Sequence, residues 1–246
     1  MSDDPQTTPD LSDVRKRIDT VDRALLDLIA ERLALSADVR RAKRGAKLWR
    51  PSREDEHVAD LIQAARSSQT PPALVSRVWA ELMSASISVQ GGTRLHVSLE
   101  GDVRANQSLI RDRFGGSLPV LSYPTSSAAL SACASDPEGI AVLPAPGGHR
   151  AWWTALGPTG ATPQLKIVAA LPRIQAGAWP EAVAVAAMEL DPSPAGRLLV
   201  VTDAAQPTNI GGTVRAQSGS LTLLDVPGDA DLAGAFAVGY LPPRIN

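Results

Sequence analysis

The nonpolar residues between positions 14 and 42 recur at alternating steps of four and three. This spacing predicts one helix, from about Asp10 to Arg44, with a nonpolar stripe along one side. Arg32 occupies one stripe position, and a buried guanidinium there costs several kcal/mol unless an anion meets it. Three explanations are open. An acidic side chain from elsewhere pairs with Arg32, Arg32 fixes the register of paired helices, or the stripe holds a pocket for an anionic ligand. The stripe comprises Val14, Ile18, Val21, Leu25, Leu28, Arg32, Leu35, Val39 and Ala42.

The predicted length of this helix indicates a partner chain. No Pro or Gly interrupts residues 10–44, so at ~1.5 Å per residue the rod is ~50 Å long. A domain of about 90 residues is only ~30 Å across and cannot cover such a stripe. We therefore expect a homodimer.

Two further helices follow in the first part of the chain. Ser52 is a candidate N-cap, with Asp55 as a weaker version of the capping-box Glu, for a helix over roughly residues 53–67. The next helix begins after Pro71-Pro72 and runs to about Val89. Their nonpolar sides are formed by Val58, Leu61, Ile62 and Ala65 in one, and by Leu74, Val78, Leu82, Ala85 and Val89 in the other.

The composition changes near residues 90–93. Charged residues make up 28 of the first 92 positions but 22 of the remaining 154, while Gly and Pro become frequent. This change and the Gly91-Gly92 pair predict a domain boundary. We expect a disordered tail at 1–10, a helical domain at 11–91 and an α/β domain at 94–246.

The second domain is predicted from alternating short strands and helices. Helices are expected at 103–114 and 126–134. Strands are expected at 95–99, 119–123, 139–143, 165–171, 182–190, 197–202, 221–226 and 235–241.

The helical part also carries a set of polar residues suited to an anionic ligand. Lys43 lies 11 positions after Arg32, so at ~100° per residue both project from nearly one face. Ser86 and Gln90 share a face of the third helix. The set suits a small dicarboxylate with hydroxyl or ether oxygens, and consists of Arg15, Arg32, Lys43, Arg53, Glu54, Ser86 and Gln90.

Arg15 and Arg32 cannot reach one small molecule from the same helix. They are 17 residues apart, or ~25 Å along the rod. If both serve one pocket, Arg15 comes from the partner helix, as an antiparallel pairing would allow.

Several classes of function receive no support. The net charge is -2, which gives no electrostatic reason to expect nucleic acid or a membrane surface as a partner. The N-terminal residues do not resemble a signal peptide, and the single Cys133 suits a reducing cytoplasm. The scattered histidines predict no metal site. We expect a cytoplasmic protein without a cofactor.

The first helix resembles that of the all-helical chorismate mutases. The resemblance rests on VRKRIDTVD at 14–22, LLDLIAER at 25–32, VRRAK at 39–43 and RPSRE at 50–54. It covers about residues 11–91. It implies a fold of three helices intertwined as a dimer with two pockets, and the conversion of chorismate to prephenate without a cofactor.

The resemblance also implies roles for individual residues. Arg15 of the other protomer and Arg32 bind the substrate carboxylates, and Arg53 supports the charged edge of the pocket. Lys43 and Gln90 donate to the ether oxygen. Glu54 holds the ring hydroxyl, and Ser86 lines the pocket. Arg50 is a departure, because many family members have Asp there.

The second domain resembles the prephenate dehydratases that are fused to some mutases. The segments are SLEGD at 98–102, IAVLPAP at 140–146 and GRLLV at 196–200. The Pro and Thr of the dehydratase are replaced in the first segment, its Glu, Asn and Ser are missing from the second, and Gly196 replaces its reactive threonine in the third. The resemblance implies a two-lobed, periplasmic-binding-protein-like fold. The missing groups predict that it lacks dehydratase activity.

Three functions stay open at this point. The first is a chorismate mutase of aromatic amino-acid biosynthesis. The second is a bifunctional mutase and dehydratase whose catalytic groups are displaced. The third is a non-catalytic dimerisation module that tethers a ligand-sensing domain.

Overall fold

The computed structural model describes residues 10–42, 49–174, 177–203, 210–232 and 234–245. The chain divides into two compact units, residues 1–45 and 46–246. The predicted tail lies outside the described residues except for Asp10, and so does the end of the first helix beyond Ala42. Among the described residues, no helix is long and nonpolar enough to cross a membrane.

The first unit is described as a single helix, α1, which spans Leu11–Ala42. Its 32 residues correspond to about 48 Å. Most of the predicted nonpolar stripe is exposed: Leu25 is 51% accessible and Leu28 is 61% accessible. The long helix is confirmed, and most of the described stripe is exposed.

The second unit begins with two helices, α2 (Pro51–Ala65) and α3 (Pro72–Gln90). The predicted cap at Ser52 is wrong. Pro51 already occupies the first helical position, where its missing N–H costs nothing, and Arg50 is the N-cap residue, with no side-chain cap hydrogen bond. A 3₁₀ turn at Arg66–Ser68 follows α2.

The buried nonpolar residues of α2 are those predicted. In α3, some residues of the predicted nonpolar side are exposed, and other residues are buried. Val58 and Ile62 of α2 are buried in a cluster with Val75 of α3. Leu74 and Val78, from the predicted side of α3, are exposed. The predicted side of α3 is therefore not its main buried side.

In the described residues that follow, the unit contains two helices, nine strands and a 3₁₀ turn at Trp152–Leu156. The helices α4 (Val103–Phe114) and α5 (Ser126–Ala134) match the prediction. The strands are β1 Arg94–Val97, β2 Val120–Ser122, β3 Gly139–Pro144, β4 Lys166–Leu171, β5 Ala182–Ala186, β6 Arg197–Asp203, β7 Thr213–Ser218, β8 Leu221–Pro227 and β9 Phe236–Leu241.

The strands form one mixed sheet in the order β2-β1-β3-β5-β4-β9-β6-β8-β7. The β1 strand pairs parallel with β2 and β3, whereas β5 pairs antiparallel with β3 and β4. Along the described residues, β4 and β9 pair in register at one position, Ile167 with Gly239. A large mixed sheet therefore follows the helices, with a narrow junction between β4 and β9.

Alternate strand residues point to opposite sides, so both faces of the sheet present nonpolar side chains. A helix packs on each of these faces. Leu130 and Cys133 of α5 pack on one face, in a cluster with the fully buried Trp153. Ile110 and Phe114 of α4 pack on the other face, with Trp49 in the same cluster. This second face brings the start of α2 close to the sheet.

Candidate functional site

Two of the predicted anion-binding residues lie on α1. Arg15 is exposed, and Arg32 is half-buried. The Ser36 hydroxyl donates to the backbone carbonyl of Arg32 at 3.0 Å, one turn further along the helix. Arg32 thus lies within regular helix, midway along the exposed nonpolar stripe.

The first turn of α2 carries Arg53 and Glu54, and Asp55 follows directly. Successive helical residues point ~100° apart, and their burial differs accordingly. Arg53 is exposed, Glu54 is half-buried and Asp55 is buried. The positive end of the helix dipole favours both carboxylates at this position. Arg50, the departure noted in the sequence, is exposed.

Glu54 is fixed through one of its two carboxylate oxygens. The indole N–H of Trp49 donates to Glu54 Oε2 at 3.2 Å. Arg173, in the segment that follows β4, donates from Nη2 to the same oxygen at 3.4 Å. In the described part of the chain, Glu54 Oε1 has no hydrogen-bond donor. The carboxylate is therefore oriented, with one oxygen left to accept.

Asp55 joins Glu54 to a second buried arginine. Arg173 Nε donates to Asp55 Oδ1 at 3.0 Å, and Arg113 of α4 forms a short ion pair with the same oxygen. The side chains of both arginines are 1% exposed. We call these four residues, Glu54, Asp55, Arg113 and Arg173, the ion cluster.

The ion cluster contains more donors than its carboxylates accept. Among the described residues, Arg113 Nε, Arg113 Nη2 and Arg173 Nη1 are buried without a hydrogen-bond partner. Unpaired donors on buried guanidinium groups are costly. With Glu54 ionised the cluster has no net charge, whereas with Glu54 protonated it carries one uncompensated positive charge.

Burial and the neighbouring charges perturb two groups of the ion cluster. The pKa of Glu54 lies above its ordinary value because burial disfavours the charged form. Arg113, Arg173 and the Trp49 hydrogen bond oppose this shift. Burial, together with repulsion from Arg113, lowers the pKa of Arg173 to about 10. Within the ion cluster, burial therefore disfavours the charged form of Glu54, and the neighbouring guanidinium groups favour it.

The remaining predicted residues are described only in part. Ser86 of α3 is buried, and its hydroxyl donates to the carbonyl of Leu82 at 2.8 Å. Lys43 lies outside the described residues, as does the side chain of Gln90. Arg15 and Arg32 belong to one compact unit, and Arg53, Glu54 and Ser86 to the other. The seven-residue pocket therefore stays a prediction.

The dehydratase-like segments lie along one edge of the sheet. Ser98 follows β1, and its N–H donates to the carbonyl of Val142 in the parallel neighbour β3. Gly196 precedes β6, which is antiparallel to β3 but separated from it by β5, β4 and β9. At ~4.8 Å per strand, the third segment is about 19 Å from the second.

Gly196 also has a packing role in this chain. A Cβ added there would overlap the hydroxyl of Tyr240 in β9. The following residue, Arg197, donates from Nε to Asp225 Oδ1 at 2.6 Å. Residue 196, where the dehydratase family has a reactive threonine, is therefore packed against Tyr240. The next residue, Arg197, forms an ion pair with Asp225.

Residues 14–91 match the family described as chorismate mutase type II. The helical region fits a chorismate mutase domain. A protein named T-protein from Enterobacter agglomerans is 38% identical over 79 residues, which cover 31% of this chain and 21% of the relative. The chain thus spans about a fifth of the length of this curated relative.

A solved structure described as GqqA, a novel type of quorum quenching acylases, also matches. It is 16% identical, with a TM-score of 0.40, over 63% of this chain and 97% of that chain. This likeness is too small to support an inference about fold or activity. In the described ranges, no group of three or more His, Cys, Asp and Glu side chains could hold a metal ion.

Sequence reasoning identified Glu54 but not its partners. Trp49, Arg113 and Arg173 lie in three separate segments, and Arg173 is 119 positions from Glu54. The adjacent Asp55 was interpreted only as a capping residue, whereas it is an acceptor for two arginines. Pairings over such distances depend on the tertiary fold, and no local pattern in the sequence signals them.

Proposed function

We propose that this protein is a chorismate mutase, which converts chorismate to prephenate in aromatic amino-acid biosynthesis. The observation that carries the proposal is the match of residues 14–91 to that family. The matched segment contains Arg15, Arg32, Lys43, Arg53, Glu54, Ser86 and Gln90, the set that suits a dianion carrying an ether and a hydroxyl group.

The reaction is an intramolecular rearrangement that requires no nucleophile. One carbon–oxygen bond breaks as one carbon–carbon bond forms. The protein has to hold the flexible dianion in a reactive chair and stabilise the charge that grows on the ether oxygen. In our proposal, Arg15 and Arg32 grip the two carboxylates, since the planar guanidinium suits carboxylate geometry.

The other residues act on the oxygens of the substrate. Lys43 and Gln90 donate to the ether oxygen, and Arg53 supports the charged edge of the pocket. Glu54 accepts from the ring hydroxyl, and the oriented carboxylate with an open Oε1 supports this role. Ser86 lines the pocket. No cofactor takes part in this proposal.

A homodimer forms part of the proposal. The stripe on α1 is exposed over most of its length, and Leu74, Val78 and Val89 of α3 are exposed as well. Uncovered nonpolar stripes on long helices favour association with a second copy. Arg15 would then be supplied across the interface. A cytoplasmic location stays a prediction.

We propose that residues 94–246 form a dehydratase-like region without dehydratase activity. Three observations support this: the replacement of dehydratase-family motif residues in the three segments, the packing at Gly196, and the spacing of β3 and β6. The two-lobed, periplasmic-binding-protein-like arrangement stays a prediction, which the narrow β4–β9 junction favours. A bifunctional enzyme and a non-catalytic dimerisation module are the alternatives.

One incubation separates these functions. Purified full-length protein is mixed with chorismate, and the products are separated with and without acid treatment, because acid alone converts prephenate to phenylpyruvate. We expect prephenate in the untreated sample. Phenylpyruvate without acid would establish the bifunctional enzyme, and unchanged chorismate would leave the non-catalytic module.

A further inference from the structure

One of the two hydrogen-bond donors to Glu54, Arg173, lies outside the segment matched by the mutase family. The family match ends at residue 91, whereas Arg113 lies at the end of α4 and Arg173 follows β4. Both arginines are buried, and Arg173 donates directly to the Glu54 carboxylate. The orientation of a proposed substrate-binding residue therefore depends on the sheet region.

We propose that Arg173 and Arg113 are positioning residues for Glu54, so that the sheet region completes the mutase pocket. The inference rests on the proposed function and goes beyond it, because it gives residues 94–246 a part in the reaction. Arg173 fixes Glu54 Oε2 and leaves Oε1 to accept from the substrate hydroxyl. Arg113 acts through its charge and through the Asp55 oxygen that both arginines share.

The charges of the ion cluster explain why two arginines are needed. Burial raises the pKa of Glu54, and Asp55, the neighbouring carboxylate, acts in the same direction. Arg113, Arg173 and the N-terminus of α2 oppose this. A protonated Glu54 is a poorer acceptor for the substrate hydroxyl. By lowering the pKa of Glu54, the two guanidinium groups favour the ionised form that accepts best.

Glu54 and Asp55 have different contacts in the ion cluster. Asp55 accepts a hydrogen bond from each of the two arginines, and Glu54 supplies the second negative charge that balances them. In addition, Arg173 and Trp49 both donate to Glu54 Oε2, and these two contacts orient the Glu54 carboxylate.

The test compares five variants of the full-length protein with the wild type. They are Arg173→Gln, Arg173→Lys, Glu54→Gln, the double variant Glu54→Gln/Arg173→Gln, and the control Arg215→Gln. Arg215 likewise pairs with a buried aspartate, Asp225, but lies on β7 and does not contact the ion cluster. For each variant, kcat and KM for chorismate are measured from acidic to mildly basic pH.

Arg173→Gln should lower kcat/KM about tenfold at neutral pH and move the acid limb of the pH profile to higher pH. Arg173→Lys should keep the position of the acid limb, because the charge is retained. Arg215→Gln should behave as the wild type. In the Glu54→Gln background, Arg173→Gln should change kcat/KM by less than about twofold, because the two residues act as one unit.

An equal loss from Arg173→Gln in both backgrounds, with an unmoved acid limb, would overturn the inference and leave Arg173 a purely structural residue. If Arg173→Gln does not fold, a sixth variant, Glu54→Gln/Arg173→Lys, is compared with Arg173→Lys, since loss of the planar guanidinium should matter only where Glu54 is present. A wild type without mutase activity would refute the proposed function itself. An active wild type with additive variants would refute this inference alone.

Discussion

Trp49 donates its indole N–H to Oε2 of Glu54 at 3.2 Å, across the N-terminus of α2. The tryptophan is buried, and its ring contacts Phe114 of α4 with centroids 5.5 Å apart. The same residue thus packs on the helix that carries Arg113 and orients the carboxylate that we place in the pocket. The orientation of the Glu54 carboxylate therefore depends on how Trp49 packs against α4.

The first prediction concerns this hydrogen bond. Trp49→Phe retains an aromatic ring but removes the donor that lowers the pKa of Glu54, so this pKa should rise further. Because mutase activity requires ionised Glu54 in our proposal, the acid limb of kcat/KM should move to higher pH. The control is Trp152→Phe, which loses a donor to the carbonyl of Pro144 at 3.1 Å. An acid limb that moves equally in both variants would contradict the prediction.

The second prediction concerns the ionisation of Glu54 itself. Its pKa lies above the ordinary value, so activity should fall as the pH decreases through that raised pKa. Glu54→Gln cannot titrate and should remove this acid limb, with a loss in kcat/KM of about tenfold or more at neutral pH. The measurement is the pH dependence of kcat/KM in both proteins. A persistent acid limb in Glu54→Gln would assign the titration to another group.

The third prediction concerns the stability of the ion cluster. Asp55→Ala leaves Arg113 and Arg173 without their shared acceptor and should lower the free energy of unfolding by about 3–5 kcal/mol. Urea unfolding measures this change. The control is Glu100→Ala, which breaks an exposed pair with Arg150 and should cost about 0–1 kcal/mol. Equal losses would show that the ion cluster is not an important source of stability.

The fourth prediction concerns the stripe on α1. Leu28→Glu places a charge on the surface that we propose to be covered by a second copy, so the dimer should dissociate. Arg23→Glu is the control, since it lies off the stripe on the same helix and is also exposed. Analytical ultracentrifugation of both variants measures their masses. A wild-type monomer, or a dimeric Leu28→Glu, would contradict the proposed assembly.

The fifth prediction concerns the dehydratase-like region. Gly196→Thr restores the threonine of that family but overlaps Tyr240, so it should destabilise the protein by about 1–3 kcal/mol without producing phenylpyruvate. Gly211→Thr is the control, because a Cβ there has no heavy atom within 4 Å. Thermal unfolding and product separation measure the two effects. New dehydratase activity in Gly196→Thr would show that the region retains a working site.

Local signals explain which elements the sequence could predict. The bounds of α4 and α5 match the prediction residue by residue, and both helices begin at side-chain caps, Asp102 and Thr125. The β7 strand (Thr213–Ser218) was not predicted, because its largely polar residues show no buried run. The strand expected at 182–190 ends at Ala186.

Long-range pairing explains what the sequence could not supply. The order of strands in the mixed sheet and the ion cluster both join residues that are distant in sequence. The spacing of Arg15 and Arg32 follows from helix geometry alone. The orientation of Glu54 by Arg173 depends on the fold of the sheet region, and the spacing of residues in the helices does not predict it.

The most direct test of the proposed function is the rate of chorismate consumption by Arg32→Ala beside the wild type. We predict that the wild type converts chorismate to prephenate. Arg32→Ala should lose at least about tenfold in kcat/KM, because a carboxylate grip is lost, while the dimer stays folded by ultracentrifugation and thermal unfolding. A wild type that leaves chorismate unchanged, or an Arg32→Ala variant with the wild-type rate, would contradict the account.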